Sequence, residues 1–341
     1  MRFIGGKTLI MPYILNLINQ KTTGVETVSD LFSGSGIVSK TFKNKGFKII
    51  CNDLMYFSYV LLRGSVSLNK KPLFKRLNGM DPIKYLNSLD LNNYDGCISN
   101  LFIYENYSPK GGRKYFTENN AIKIDLIRQK IEAWKVENTI NDDEYYYLLA
   151  CLLEAIPYVS NTTGVYGAFL KHWDNRALKD LELKEIDITN NRKDNSAFNN
   201  DANKIVADIK CDLAYYDPPY NQRQYLPNYH ILETIAKYDS PLIKGVTGLR
   251  DYNEQKSLYC RKSEVLVAFD ELIKNTNSKY IIMSYNTEGI LSQDDICNVL
   301  NKYCKKGTLS FQHIDYSRYK NAQTDKEKTV KEILYFIEKE S

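Results

Sequence analysis

The sequence predicts an α/β protein whose parallel sheet is divided along the chain by a long, mostly helical insertion. Two features indicate the sheet: short apolar runs that end in an acidic residue, and a helical pattern between the first two of them. Parallel strands need a crossover connection, so this alternation is typical of a βαβ unit. A third feature is the return of buried, β-like runs only after about residue 200.

The first zone, residues 1–56, alternates helix, strand, helix and strand. Its strands are the short runs TVSDLF and FKIICND. Between them, IVSKTFKNKGF reads as a helix that ends at Gly46, because glycine readily adopts the left-handed conformation found at helix ends. The two strands are therefore predicted to pair in parallel.

The second zone, residues 57–200, is predicted to be a mostly helical insertion. Apolar residues recur at helical spacing in AIKIDLIRQKIEAW. Asn141 and Glu144 have the spacing of a capping box that opens the helix EYYYLLACLLEAI. The polar, glycine-bearing run NTTGVYGAF that follows is expected to form a loop or a hairpin.

The third zone, residues 201–341, returns to strands and helices. CDLAYY and SKYIIMSY are typical of buried strands, and SQDDICNVLNKYC of a helix capped by Ser292 and Asp295. GTLSFQHIDY and KEILYFIEK are predicted to pair as an antiparallel hairpin at a sheet edge. We therefore expect residues 1–56 and 201–341 to form one domain, with residues 57–200 inserted into it.

The composition is that of a globular protein. Hydrophobic residues make up 43% of the chain, enough for a core, and the net charge of +5 is compatible with a polyanionic partner without requiring one. The 27 tyrosines suit stacking on nucleobases or reflect AT-rich codon usage. The seven cysteines form no C-x-x-C pair, so we expect reduced thiols, no metal site and a cytoplasmic location. We also expect no signal peptide and no membrane span, since no apolar run approaches ~20 residues.

A glycine loop follows the first strand. In VSDLFSGSGIV, Gly34 and Gly36 lie between a strand and a helix, where glycine lets the backbone approach a ligand closely. Asp53 ends the next strand, where an acid can accept hydrogen bonds from ribose hydroxyls. Ser39 occupies the third glycine position of a dinucleotide fingerprint, which is therefore incomplete. These features predict an adenosine-containing ligand and leave a nicotinamide cofactor and S-adenosylmethionine as alternatives.

The run CDLAYYDPPYNQRQY predicts the chemistry. Its buried strand ends in Asp217, followed by two prolines that remove two backbone donors and fix two φ angles. An amino group on an aromatic ring is a poor nucleophile, and two acceptors for its N–H groups draw its nitrogen toward tetrahedral geometry. The Asp217 carboxylate and the Pro218 carbonyl provide these acceptors, Pro219 stiffens the turn, and Tyr220 offers a face for stacking.

The order FIGGK, DLFSGSG, insertion and DPPY resembles that of the Dam-like (alpha-group) adenine-specific DNA methyltransferases. The runs DPPYNQRQY, KYFTENNAIKID, NTTGVYGAFLKHW and SYNTEG are similar to segments of the modification enzymes of FokI- and NlaIII-type restriction systems. The resemblance spans essentially the whole chain. It implies a Rossmann-like, S-adenosylmethionine-dependent methyltransferase fold with an inserted, mostly helical target-recognition region. It also implies methyl transfer to the exocyclic 6-amino group of an adenine flipped out of duplex DNA, without a metal.

The same resemblance implies roles for individual residues. The implied catalytic residues are Asp217, Pro218, Pro219 and Tyr220. The implied cofactor-binding residues are Phe3, Lys7, Asp30, Phe32, Gly34, Gly36, Asp53 and Asp201. Lys7 is expected to reach the methionine carboxylate and Asp201 to lie near the cofactor adenine, with Asp208 as a competitor for the latter role. The expected DNA-binding residues are Asn161, Thr162, Thr163, Lys171, Arg176, Arg223 and Gln224. The first three are expected at base edges, and Lys171 and Arg176 at phosphates.

The resemblance further implies the modification half of a type II restriction–modification system. The protein is expected to act as a monomer on duplex DNA, with a restriction endonuclease as its functional partner. Two alternatives stay open on physical grounds: a non-catalytic nucleic-acid binder on the same scaffold, and an amino-methyltransferase that acts on RNA or on cytosine.

Overall fold

A computed structural model of the chain describes residues 5–93, 98, 100–317 and 329–340. The chain forms two compact units, called here the sheet unit and the helical unit. The described residues of the sheet unit are 5–54, 191–224, 256–317 and 329–340. Those of the helical unit are 55–93, 98, 100–190 and 225–255. The division differs from the expected one, because residues 225–255 belong to the helical unit and residues 191–200 to the sheet unit.

Strands and helices alternate through much of the chain. The strands are β1 (Thr27–Asp30), β2 (Lys48–Asn52), β3 (Ser196–Phe198), β4 (Lys210–Tyr216), β5 (Ile243–Lys244), β6 (Leu249–Arg250), β7 (Asn277–Asn286), β8 (Ser310–Ser317) and β9 (Thr329–Glu338). The α-helices are α1 (Met11–Lys21), α2 (Ile37–Asn44), α3 (Tyr56–Ser65), α4 (Pro82–Ser88), α5 (Phe102–Tyr107), α6 (Glu118–Val136), α7 (Asp142–Val159), α8 (Ala202–Ile205), α9 (Leu226–Lys237), α10 (Val265–Asn275) and α11 (Gln293–Tyr303). None of the helices in the described ranges combines the length and the apolar character that a membrane crossing requires.

The sheet unit is built on a seven-stranded, mostly parallel sheet in the order β3-β2-β1-β4-β7-β9-β8. Strands β1, β2, β3, β4 and β7 pair in parallel, whereas β9 is antiparallel to both β7 and β8. The predicted α/β class, the parallel β1–β2 pair and the antiparallel hairpin at the edge are therefore confirmed. The order reverses between β1 and β4, which makes their carboxyl ends a topological switch point.

Local sequence signals account for several helix boundaries. Helix α2 follows Gly36, which has a φ of 77°, and the helix is closed by Gly46, which has a φ of 90°. Both predicted capping boxes are present: Asn141 with Glu144 opens α7, and Ser292 with its partner three residues on opens α11.

The helical unit is built on α3, α6, α7 and α9. Helix α9 lies here because it packs against α3 and α7, which explains why residues 225–255 leave the expected domain. Residues 160–195 contain neither helix nor strand, so NTTGVYGAF forms a loop and not a hairpin. The hairpin of this unit is instead the short β5–β6 pair.

Candidate active site

The candidate site lies at the carboxyl ends of β1, β2 and β4. Asp30 is the last residue of β1 and pairs in register with Tyr215 of β4. Asp217, two residues beyond Tyr215, is therefore brought to the same edge of the sheet as Asp30. Ligands of open α/β sheets bind at such a switch point, so the two motifs that the sequence singled out meet where a ligand is expected.

The glycine loop links β1 to α2. Gly34 and Gly36 have φ values of 53° and 77°, in the left-handed region where a side chain is strained. The backbone N–H of Gly34 donates to Oδ2 of Asp53 over 2.7 Å. One carboxylate thus fixes the loop conformation at the end of β2, where an acid is also suited to a ribose.

Asn52 is a residue that the sequence did not reveal. Its fully buried side chain donates to the carbonyls of Leu31 and Asn200 over 3.1 and 3.0 Å, and it accepts from the Asn200 N–H over 3.0 Å. The amide therefore joins the loops that follow β1, β2 and β3. The sequence signal that could have revealed this role is an asparagine at the end of the apolar run of β2.

Asp30 is a buried acid with an unsatisfied oxygen. Its side chain is 1% exposed, and its Oδ2 accepts from the Ser39 hydroxyl over 2.6 Å. Its Oδ1 is buried and finds no hydrogen-bond partner among the described residues. Burial raises the pKa of Asp30 to about 7, because it disfavours the charged form; the Ser39 hydrogen bond opposes this shift, and the nearby Asp217 charge adds to it.

Phe32 of the glycine loop contacts two tyrosine rings, and Asp201 lies near one of them, Tyr259. The half-buried Phe32 ring contacts the Tyr216 and Tyr259 rings edge-on, at centroid distances of 6.2 and 5.1 Å. Asp201 caps the short helix α8 by accepting from the Asn203 N–H over 2.9 Å. The Tyr259 hydroxyl donates to Oδ1 of Asn203, so these groups form one connected wall.

Lys7 lies against Asp217. The Lys7 Nζ is 2.9 Å from Oδ1 of Asp217 and 2.8 Å from Oε1 of Glu332, and the Lys7 side chain is 6% exposed. Two acids thus lie against the ammonium, and its expected reach toward a methionine carboxylate stays a prediction. Burial lowers the Lys7 pKa, but the charges of Asp217 and Glu332 more than offset this, so the pKa is raised. Burial raises the Asp217 pKa to about 7, with Lys7 opposing the shift.

The DPPY turn is largely buried. Pro218 and Tyr220 are buried, whereas Asp217 is 20% exposed and Pro219 is half-buried. The Tyr220 ring meets the Tyr285 ring edge-on at 6.5 Å, and the side chain of Tyr220 is 6% exposed. Asp217 is thus an acid that solvent can reach. Tyr220 is packed into the wall of the turn in this conformation.

The expected DNA-binding residues divide by burial. Asn161 is fully buried: its Nδ2 donates to the Leu170 carbonyl over 3.0 Å, and its Oδ1 accepts from the Asp174 N–H over 2.9 Å. It therefore supports the loop from inside, and the base-edge role expected of it stays a prediction. Thr163 and Lys171 are exposed.

Arg176 and Thr162 are joined by a hydrogen bond within the loop that follows α7. The Arg176 guanidinium donates to the carbonyls of Ser160 and Thr162 over 3.3 and 2.9 Å, and Thr162 is buried. Both line a cavity of about 370 Å³ in the helical unit, together with Tyr158 and Gly164 among others. The cavity lies beside the exposed part of the loop.

Arg223 and Gln224 follow the DPPY turn in the sheet unit. The Arg223 side chain is exposed. Gln224 is tied to the backbone of Ser257: its Nε2 donates to the Ser257 carbonyl over 3.1 Å, and its Oε1 accepts from the Ser257 N–H over 2.8 Å. Gln224 thus holds a neighbouring loop, and Arg223 is the residue of the pair that faces solvent. Phe3 lies outside the described residues.

Residues 3–299 match the family of D12 class N6 adenine-specific DNA methyltransferases, and the chain belongs to this family. Over 99% of its length it is 43% identical to the modification methylase StsI of Streptococcus sanguinis, and over 100% of its length 43% identical to the type II methyltransferase M.FokI of Planomicrobium okeanokoites. These matches cover 52% and 53% of the two relatives, so the chain spans about half their length. It is 36% identical to the type II methyltransferase M.NlaIII of Neisseria lactamica over 99% of both chains. The family resemblance read from the motifs is thereby confirmed, and membership implies a methyl donor.

Proposed function

We propose that the protein is a site-specific DNA methyltransferase that transfers a methyl group from S-adenosylmethionine to the 6-amino group of an adenine flipped out of duplex DNA. The observation that carries the proposal is the position of Asp217, directly after β4, beside the end of the neighbouring strand β1, which leads through Asp30 into the glycine loop. A donor held on the loop and an amino group held at Asp217 would meet at one sheet edge. Membership of the adenine-specific family supports the choice of base.

The site suits a cationic donor. Asp217 and Glu332 flank the ammonium of Lys7, Asp30 lies near enough to Asp217 for their charges to interact, and the buried Oδ1 of Asp30 offers an acceptor. The sulfonium of the donor supplies a methyl group that its positive charge already activates. We assign the methionine part to Asp30, Phe32, Gly34 and Gly36, the ribose to Asp53, and the adenine side to Asp201, with Phe3 as a further cofactor contact.

The remaining chemistry needs acceptors for the two N–H groups of the target. The accessible carboxylate of Asp217 and the carbonyl of Pro218 accept from them and direct the nitrogen lone pair toward the loop. The nitrogen becomes more acidic as it gains the methyl group, so its proton leaves without a strongly shifted general base. Extrusion of the base from the duplex costs a few kcal/mol of unstacking.

DNA recognition is assigned to the helical unit and the residues beside the active-site turn. Thr163 and Lys171 are exposed on the loop after α7, and Arg223 is exposed after the DPPY turn. Lysine and arginine side chains of this kind hold phosphates, and a threonine hydroxyl can reach a base edge. Arg176 and Thr162 support this surface and line the adjacent cavity, where a base edge could enter.

The biological setting follows from the relatives. Two of those compared are named type II methyltransferases and one a modification methylase. We propose that this chain acts as a monomer in the modification half of a type II restriction–modification system, functionally paired with a restriction endonuclease and located in the cytoplasm with its DNA substrate.

The test is methyl incorporation into random-sequence duplex DNA from labelled donor. We expect Asp217→Ala to lower the rate by at least about a hundred-fold, because an acceptor for the target amino group is lost. Donor affinity, measured by calorimetry, should stay within a few-fold, since the loop at Gly34 and Gly36 is untouched.

The matched control is Asp294→Asn, which changes an exposed acid of α11 in the same unit and should leave incorporation unchanged. Parallel reactions on RNA and on duplexes lacking adenine decide the substrate. Incorporation that persists in Asp217→Ala, or that requires cytosine or RNA, would refute the proposal.

A further inference from the structure

Glu332 is a buried acid that directly precedes an apolar run of strand β9. It lies on β9, is 1% exposed, and is followed by the buried run Ile333 to Ile337. It also lies beyond residue 299, where the family match ends. A carboxylate in such a position is costly unless it is paired and hydrogen-bonded, so its partners indicate why it is there.

The partners of Glu332 connect it to the active site. Its Oε1 accepts from the Lys7 ammonium over 2.8 Å and from the Ser284 hydroxyl on the neighbouring strand β7. The same ammonium lies 2.9 Å from Oδ1 of Asp217. A continuous chain of contacts therefore runs from Ser284 through Glu332 and Lys7 to Asp217.

The charges around Asp217 come from several elements. Lys7 precedes α1, Asp30 ends β1, and Glu332 is on β9; the neutral hydroxyl of Tyr215 on β4 also lies close to Asp217. Lys7 is thus shared between two carboxylates and is not committed to Asp217 alone. Removing the Glu332 charge would leave the Lys7 ammonium paired with Asp217. It would also remove a negative charge from the surroundings of the Asp217 carboxylate.

We propose that Glu332 is a positioning residue for methyl transfer. Through Lys7 it fixes Oδ1 of Asp217 and leaves the second carboxylate oxygen directed at the amino group of the target base. This inference rests on the proposed function, because it assigns to Asp217 the acceptor role given above. Ser284 holds Glu332 in the orientation that meets Lys7.

The test is the pH dependence of the single-turnover methylation rate in wild type and Glu332→Gln. Glutamine keeps the size of the side chain and removes its charge. We expect the acid limb of the profile to move to lower pH, because the negative charge that opposed ionisation of Asp217 is gone. The maximal rate should fall on the order of ten-fold through misplacement of Asp217, with donor KM changed less than about three-fold.

Two further variants make the result specific. Glu338→Gln makes the same change on the same strand, at a half-buried residue paired with Lys305 over 3.5 Å, and should leave both the rate and the acid limb unchanged. Ser284→Ala keeps the charge of Glu332 and should lower the rate with a smaller movement of the acid limb. An acid limb in Glu332→Gln that coincides with wild type would overturn the inference.

A second readout is independent of catalysis. The unfolding free energies of Lys7→Gln, Glu332→Gln and the double variant form a cycle, and we expect their effects to be non-additive because the two groups touch. If wild type fails to methylate DNA, the proposed function is wrong. The cycle then tests the Lys7–Glu332 ion pair by itself: non-additive effects support the pair, and additive effects overturn it. If wild type methylates and the acid limb does not move, the function stands and the inference falls.

Discussion

Asp30→Asn is expected to stabilise the protein while weakening donor binding. Asp30 is buried, and one of its oxygens has no hydrogen-bond partner among the described residues. Asparagine has nearly the same shape and removes the cost of a buried charge. The Ser39 hydroxyl, which donates to the other oxygen over 2.6 Å, can donate to the asparagine carbonyl instead.

The magnitude follows from the pKa of Asp30. Burial raises this pKa from the ordinary value of 3.8 to about 7, so the folded protein keeps the proton in a pH range where the unfolded chain has lost it. The contribution of Asp30 to wild-type stability therefore falls as pH rises from about 4 to about 7, and asparagine does not share this loss. The stability difference between variant and wild type should be small at pH 4 and reach roughly 4 kcal/mol above pH 7.

The assay is urea denaturation of both proteins at several pH values from 5 to 8, with calorimetric titration of the donor at pH 8. Asp294→Asn, at an exposed acid, is the control and should leave the stability close to that of wild type. A stability difference between Asp30→Asn and wild type that stays flat or shrinks with rising pH would refute the reasoning. Undiminished donor affinity would show that Asp30 does not contribute to donor binding.

Two predictions concern the helical unit. Gly64→Ala should lower the free energy of unfolding by about 1–3 kcal/mol in urea denaturation, because the added Cβ would lie 2.4 Å from the Tyr146 carbonyl oxygen where α3 packs on α7. Asn161→Ala should cost about 1–3 kcal/mol and open the loop after α7 to proteolysis, because the Leu170 carbonyl loses a buried donor.

Each of these variants has a matched control. Gly167→Ala adds a methyl group whose nearest neighbour is 3.7 Å away, so stability should be unchanged. Thr163→Ala, at an exposed residue of the same loop as Asn161, should weaken DNA binding without loss of stability. If Asn161→Ala instead weakens DNA binding at full stability, the base-edge role first expected of Asn161 is right and the supporting role is wrong.

Features that depend on neighbouring residues were predictable. The capping box of Asn141 and Glu144 forms within one helical turn, and the glycine loop and DPPY turn are each read from a few consecutive residues. The parallel pairing of β1 and β2 follows from the helix between them. The sequence could not predict that residues 225–255 belong to the helical unit, because this depends on which helices α9 packs against.

By itself, the sequence determined the fold class, the order of the main elements, the family and the two motifs at the sheet edge. Only the tertiary structure decided that Lys7 meets Asp217 and Glu332, and that Asn161 supports its loop from inside. Lys7 and Glu332 are 325 positions apart along the chain, and no spacing rule joins residues so distant. Their contact is fixed by strand order and by the need of a buried charge for a partner, which are properties of the folded chain.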